Sequence, residues 1–172
     1  MLAAAKYSAL ESSRGGRTIE IRALKPEDQA GLIAAVRRSS AQSLYRRFFG
    51  FKRHFSNQEI AYFLNVDFVN HVALVAVVEE NGQPVIGGGG RYVVNEPGKA
   101  EIAFAVVDEC QGQGVGGALM RHLAAIARDA GLNEFTAEVL TDNISMLKVF
   151  EKSGLHLKIE RESQVAHVIL QL

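Results

Sequence analysis

Gln111-Gly112-Gln113-Gly114-Val115-Gly116-Gly117-Ala118-Leu119-Met120 is the stretch on which the reading of this chain turns. A mostly apolar run, Lys99 to Val107, leads into it and reads as a strand. A helix leaves it. Val115, Ala118, Leu119, Leu123, Ile126, Ala127 and Ala130 recur at helical spacing, which sets them on one face. Four glycines therefore stand between a strand's end and a helix's first turn. Glycine admits turns closed to other residues and lets a ligand lie against bare amides. First-turn N–H groups have no helical partner and sit at the positive end of the helix dipole. Phosphate is the natural occupant of such a junction.

Several readings compete for these letters. Gly112, Gly114 and Gly117 match the dinucleotide pattern G-x-G-x-x-G, and Glu138 follows Gly117 by 21 residues, near the place of a ribose-binding acid. Only 34 residues follow Glu138, too few to complete a doubly wound sheet, and the motif sits late in the chain. A glycine-rich loop with no ligand is the plain alternative. The remaining reading is Gln111-x-x-Gly114-x-Gly116.

The totals narrow the class. At 172 residues the chain reads as a single domain able to bury its own core. Hydrophobic residues make up 48% and charged residues 22%, as in soluble globular proteins. Nineteen basic and 19 acidic side chains leave no net charge, so overall charge points to neither nucleic acid nor membrane. The one cysteine, Cys110, excludes an internal disulfide and fits a reducing compartment. No apolar run approaches a membrane span, and Leu2 to Ala5 is too short for a signal-peptide core. The cytoplasm is the expected compartment.

Residues 1–16 read as a loose tail or short helix ahead of a domain over 17–172. Arg17 to Ala23 alternates with the period of a half-buried strand. Pro26 opens a helix, with Glu27 and Asp28 favourable in its first turn. From Gln29 to Gln58 no acidic residue occurs, while Arg37, Arg38, Arg46, Arg47, Lys52 and Arg53 do. Tyr45, Phe48, Phe49, Phe51 and Phe55 are interleaved with them. Such a mixture can bind single-stranded nucleic acid, and would make an RNA-associated module. Helices with aromatic cores and solvated arginines account for it better, with a positive field that helps hold an anionic cofactor or steers an acidic acceptor.

Ser56-x-x-Glu59 is a capping box for the next helix. His71 to Glu80 and Pro84 to Val94 read as strands joined by the hairpin signal Asn81-Gly82. Gly87 to Gly90 lie inside the second and are expected to wall a cleft. Period two along Ala100 to Val107 puts Ile102, Phe104 and Val106 on one face. Glu101, Ala103, Ala105 and Val107 share the other, a small-residued face with a single carboxylate. After the glycine helix, stopped by Gly131, come a strand from Phe135 to Leu140 and a helix capped near Asn143. Two strands close the chain. The order β-α-α-β-β-β-α-β-α-β-β implies one α/β (α+β) domain around a mixed, mostly antiparallel sheet of about seven strands, with helices on both faces.

That order, with Gln111-x-x-Gly114-x-Gly116 between the fourth strand and third helix, resembles the GNAT N-acetyltransferase superfamily and its Q/R-x-x-G-x-G/A signature. Asn143-x-x-Met146-x-x-x-Phe150-Glu151-Lys152-x-Gly154-Leu155 is similar to a second motif of that family. The likeness spans residues 17–172. Ser43 to Phe49, Ala100 to Phe104 and Ala137 to Leu140 resemble, within it, the bacterial protein-lysine acetyltransferases that modify acyl-CoA synthetases. Those enzymes often carry a further regulatory or synthetase-like domain, for which 172 residues leave no expected room.

The resemblance implies acetyl-CoA as cosubstrate and a protein lysine as acceptor, with no metal. Lysine's amine, with a pKa near 10.4, is mostly protonated at neutral pH, so a positioned base is useful. By the family pattern Glu101 is that base, and Glu138 on the neighbouring strand is the reserve. Backbone N–H groups near Ala105, Val106 and Val107 would meet the oxygen on which charge develops. Gln111, Gly112, Gln113, Gly114, Val115, Gly116 and Gly117 would hold the pyrophosphate, and Asn143 the pantetheine arm. Phe150 stands where the family has a tyrosine that protonates the leaving thiolate, and is expected to pack against the cosubstrate. Cys110 has no evident activating base and reads as a bystander. His54, His71, His122, His156 and His167 show no metal-ligand spacing. A small-molecule amine as acceptor, and a non-catalytic acyl-CoA sensor, are the alternatives; the oligomeric state is open between monomer and dimer.

Overall fold

The computed structural model describes residues 3–49 and 54–172. Eight strands build one sheet: β1 (Ser8–Ser12), β2 (Thr18–Ala23), β3 (His71–Glu80), β4 (Gln83–Glu96), β5 (Lys99–Val106), β6 (Glu134–Leu140), β7 (His156–Glu162) and β8 (Val165–Gln171). Their order across the sheet is β1-β2-β3-β4-β5-β6-β8-β7. Three helices, α1 (Gln29–Arg38), α2 (Ala41–Phe48) and α3 (Asn57–Leu64), lie between β2 and β3 in sequence. Helix α4 (Val115–Asp129) follows β5, and α5 (Ile144–Glu151) follows β6. Only β5 and β6 run parallel; all other neighbours are antiparallel. The sheet is mixed and mostly antiparallel, as expected, with one strand more.

That extra strand corrects the expectation of a loose tail. Ser8–Ser12 pairs with β2 from Ser8↔Arg22 to Ser12↔Thr18. Its sequence gives no warning, because β1 buries no side chain fully and Leu10 faces solvent. Side chains hold it instead: Glu11 accepts from His122 of α4 at 2.7 Å and pairs with Arg121. The acid-free segment also differs from its reading. Ser40 accepts from the Ser43 amide and caps a separate helix, so three helices stand where two were expected. Phe51, Lys52 and Arg53 lie outside the described residues.

Local chemistry explains the rest. The Ser56–Glu59 capping box forms reciprocally at the start of α3. Asn81 and Gly82, both at positive φ, make the tight β3–β4 turn. On one face of the sheet, α4 and α5 bury Ile21, Leu74, Tyr92, Ile102, Phe104, Leu119, Leu123, Phe135 and Phe150 in the main core. At about 1.5–3 kcal/mol for each large apolar side chain, that face holds most of the stability. On the other face, Leu24, Ala73, Val75 and Ile86 form a small second cluster with Leu32, Ala35 and Leu64.

Gly90 shows how tightly the main core closes. A Cβ there would come within 2.6 Å of Phe104 Cδ1 and 2.9 Å of Leu123 Cδ1. A side chain would hold α4 off the sheet.

The feature that makes the site is a parting of strands. β5 and β6 pair only at Lys99↔Glu134, Ala100↔Phe135 and Glu101↔Thr136. Beyond Glu101, β5 stays with β4 as far as Val106, while β6 stays with β8 as far as Leu140. A V opens between two neighbours, with Glu101 at its vertex.

Candidate active site

The glycine loop closes the open end of the V. Gly114 caps α4 at φ 90° without a side-chain hydrogen bond, and Gly112 sits at φ 76°. These left-handed values favour glycine. The first helical bond runs from the Ala118 amide to the Gly114 carbonyl at 3.0 Å. The amides of Val115, Gly116 and Gly117 therefore have no helical acceptor. They border a cleft of about 610 Å³ whose walls include Ile102 to Val106, Gly112 to Gly117, Val139, Asn143 and Phe150. Arg14, Arg46, Arg121, Lys148 and Lys152 stand around it. Bare amides and cations suit an extended phosphorylated ligand. The residues present fit a diphosphate-bearing thioester.

The glutamines of the motif hold protein. The Gln111 side-chain amide donates to the Val106 carbonyl at 3.1 Å and to Ser43 Oγ at 3.2 Å, fastening α2 to the end of β5. Gln113 donates to the Glu109 carbonyl at 2.9 Å, and its own carbonyl accepts from the Arg14 amide at 3.3 Å. Across the cleft, Asn143 caps α5 by accepting from the Met146 amide at 3.3 Å. Arg46 of α2 reaches the Asp142 carbonyl at 3.5 Å, so α2 touches both banks. Phe150 is fully buried, its ring centroid 6.0 Å from that of Phe104.

The expected amide donors are partly corrected. Val107 N–H donates to the Gly87 carbonyl at 2.9 Å, so it points at β4 and away from the V. Backbone groups alternate along a strand, which turns Ala105 the same way and leaves Phe104 and Val106 facing the opening. The Val106 carbonyl taken by Gln111 lies on that open side. The Phe104 and Val106 amides are thus the ones turned to the opening, while Ala105 and Val107 contribute side chains to the walls.

The two carboxylates differ in place, one at the vertex of the V and one on its β6 arm. Glu101 is exposed at the vertex, and its charge acts on the Arg47 guanidinium. Glu138 lines the cleft from β6 and faces His167 Nδ1 at 3.5 Å.

A second cavity, of about 370 Å³, lies on the α1–α3 face. Its walls are mostly apolar: Leu24, Leu32, Ile33, Phe48, Phe55 and Phe63 above, Gly89, Ala103 and Ala105 below. Leu44, Arg47, Ala103 and Ala105 line both cavities, so the two meet at the middle of β5. Gly88 to Gly90 do form a cleft wall, in this second cavity.

Three arginines line it, Arg37 exposed and Arg47 and Arg91 more enclosed. Arg91 sits opposite Ala103 in the β4–β5 register, and Glu101 opposite Val93, so Arg91 and Glu101 are diagonal neighbours on one sheet face. Arg91 donates to the Phe63 carbonyl at 3.2 Å and to His71 Nε2 at 3.0 Å, with its guanidinium 4.8 Å from the Phe63 ring centre. Burial pulls Arg91 down to about 10, with the Arg47 charge adding to the shift. Arg47 is likewise lowered by burial, opposed by Glu101 and Tyr62. The arginines of this segment were expected to be solvated, and Arg47 is not. Arg91 carried no motif; only the strand register reveals it.

Elsewhere, Cys110 is buried, which pushes its thiol up and disfavours the thiolate a nucleophile needs. Among the described residues no group of three or more His, Cys, Asp or Glu could hold a metal ion. No helix there is long and apolar enough to cross a membrane.

The comparisons with known proteins follow the same lines. The model of the Acetyltransferase (GNAT) family matches residues 38–155. Acetyltransferase Pat of Mycolicibacterium smegmatis is 33% identical over 143 residues, which is 82% of this chain and 42% of that protein. An acetyltransferase of Pseudomonas aeruginosa is 32% identical over 126 residues, 73% of this chain and 68% of its own length. Among solved structures, the GNAT domain of S. lividans PAT is 33% identical with a TM-score of 0.86, covering 96% of this chain and 97% of that one. This chain thus spans less than half of the mycobacterial relative, and nearly all of the S. lividans domain. With the family model across most of its length and the glycine loop, parted strands and cleft in place, the chain belongs to the GNAT acetyltransferase family.

Proposed function

We propose that this N-acetyltransferase moves the acetyl group of acetyl-CoA directly onto the side-chain amine of a protein lysine, with Glu101 as general base. One observation carries the reading: the V between β5 and β6 has Glu101 at its vertex and uncapped amides at its mouth. The acceptor-side cavity meets the cleft at Ala103 and Ala105 between them.

Bound in the cleft, the thioester supplies an activated acyl carbon. The amides of Val115, Gly116 and Gly117 hold its diphosphate, with Gly112 and Gly114 shaping the loop. Asn143 and the buried ring of Phe150 border the arm. The Phe104 and Val106 amides donate to the oxygen on which charge develops. Glu101 accepts the proton of the incoming ammonium at its carboxylate. Phe150 has no hydroxyl, so the thiolate leaves protonated by water or unassisted, which a thiol pKa near 8.5 permits. The lysine acceptor rests on the stretches Ser43 to Phe49, Ala100 to Phe104 and Ala137 to Leu140, which resemble bacterial protein-lysine acetyltransferases.

Thiol release from acetyl-CoA, measured with lysine peptides and with polyamines, tests the reading. Release with the peptides is the expected result. Release with polyamines alone would make the acceptor a small amine. A thermal shift on adding acetyl-CoA with no release from any amine would make the chain a sensor.

A further inference from the structure

The second cavity carries a feature that a generic amine acceptor does not explain. Its lining is mostly apolar, with Gln29, Ser39, His54 and the exposed Arg37 at a few points, yet Arg47 and Arg91 line it as well. Two other arginines of the acid-free segment have carboxylate partners: Arg38 pairs with Glu80 at 2.8 Å and with Glu109, and Arg46 approaches Asp142 at 3.9 Å; Arg37 is exposed. Among the described residues Arg47 and Arg91 make no such ion pair. Arg91 is held by a carbonyl, an imidazole and a ring face, and Arg47 lies over the Phe48 ring at 4.8 Å.

Two cations side by side against an apolar wall repel each other and have lost part of their hydration. Burial lowers both groups, and the Arg47 charge lowers Arg91 further. The nearest anion, Glu101, stands at the vertex of the V, where the base is needed, and Gln29 to Gln58, which supplies α1 and α2, is acid-free. The missing partner is thus to be supplied from outside the chain.

Its chemistry follows from the lining. A guanidinium pair prefers a carboxylate, gripped by its fork of N–H donors. The apolar walls prefer methylenes next to it. Both cations stand close to where the cavities meet: Arg47 lines that junction itself, and Arg91 is cross-strand from Ala103 within it. A group held by them is therefore a near neighbour of the reacting amine.

We propose that Arg47 and Arg91 form a specificity subsite for the carboxylate of a glutamate that flanks the acceptor lysine. The inference rests on the lysine reading above. The cavity takes the lysine stem along Ala103 and Ala105 and the glutamate methylenes against Phe48 and Phe63, with the two guanidiniums gripping the carboxylate.

The experiment uses two lysine peptides that differ in one residue beside the lysine, glutamate in one and glutamine in the other. Acetylation is followed by mass spectrometry with acetyl-CoA. The glutamate peptide is expected to show a kcat/KM higher by roughly 10-fold or more, mostly through KM, as charge-assisted hydrogen bonds give. In Arg91→Gln, and independently in Arg47→Gln, the ratio between the two peptides is expected to fall toward one. Equal kcat/KM for the two peptides on the unaltered protein overturns the subsite and leaves the lysine reading standing, whether or not either variant folds. A ratio that survives in both folded variants overturns the assignment to these arginines. Thiol release with polyamines but with neither peptide overturns the lysine reading and the subsite with it.

Discussion

The two sides of the β5 strand are built by opposite means. Toward the glycine loop the cleft is built from backbone: the amides of Val115, Gly116 and Gly117, and the Phe104 and Val106 amides bared by the parting of β5 from β6. Toward α1–α3 the cavity is built from side chains, with Arg47 and Arg91 over a floor of Gly89, Ala103 and Ala105. Backbone groups are the same whatever the residue, and are fixed by turn geometry. Side chains can be exchanged without refolding the loop. A family that keeps one cosubstrate and changes its acceptors would divide its site in this way.

The largest effect should come from the acceptor side. Glu101→Gln is expected to lower kcat about 10²–10⁴-fold with unchanged binding of acetyl-CoA, as removal of a general base does. Stopped-flow thiol release and calorimetry separate the two; an unchanged kcat would transfer the role to Glu138.

The acceptor side also depends more on charge for its stability. Arg22 grips both oxygens of Asp28 at 2.8 Å, with the side chains only 16% and 10% exposed, and so fixes the start of α1. Burial works to raise the Asp28 carboxyl, but the Arg22 fork and the Lys25 amide outweigh it and hold it below its usual 3.8. Asp28→Ala strands a buried cation and should cost about 3–5 kcal/mol in denaturant unfolding. The sign of the pH effect follows. The folded value lies below the unfolded one, so the pair's contribution is full above pH 3.8 and is lost as pH falls through the lowered folded value. An acid titration of Asp28→Ala should lack that component.

The cofactor side should respond to volume. Gly90→Ala puts a methyl against Phe104 and Leu123 and should cost about 1–3 kcal/mol by overpacking, read as a shift in the denaturant midpoint. The smallest effect belongs to the loop. Gly114→Ala forces a left-handed backbone on an L residue, at about 1–2 kcal/mol. It should weaken acetyl-CoA binding about tenfold, with little change in the KM for the acceptor. A loss confined to the acceptor KM would undo the division between the two sides.

How much could be read without coordinates follows the same division. The glycine run, the periodic α4 face, the Ser56 cap and the Asn81-Gly82 turn are local signals, set by residues within a few positions of each other, and each stands where its letters put it. β1 could not be read so, because Ser8–Ser12 buries no side chain fully and is held by Glu11 reaching α4. The break between α1 and α2 rests on one serine cap. Gly114 and Asn143 line the cleft where their motif positions put them. The direction of each β5 amide was not legible, since it depends on which neighbour pairs with β5 at each residue. Arg91 was invisible for the same reason: nothing along the chain connects it to Ala103, and only sheet register does.

Helix α2 has a wider consequence. Its Ser43 receives Gln111 on one bank of the cleft, its Arg46 reaches Asp142 on the other, and its Arg47 leans into the second cavity. One rigid rod thus belongs to two ligand chambers. A ligand that shifted this rod from one chamber would be felt in the other. Such a link is reciprocal by thermodynamic necessity: whatever acetyl-CoA does to acceptor affinity, the acceptor does in equal measure to acetyl-CoA.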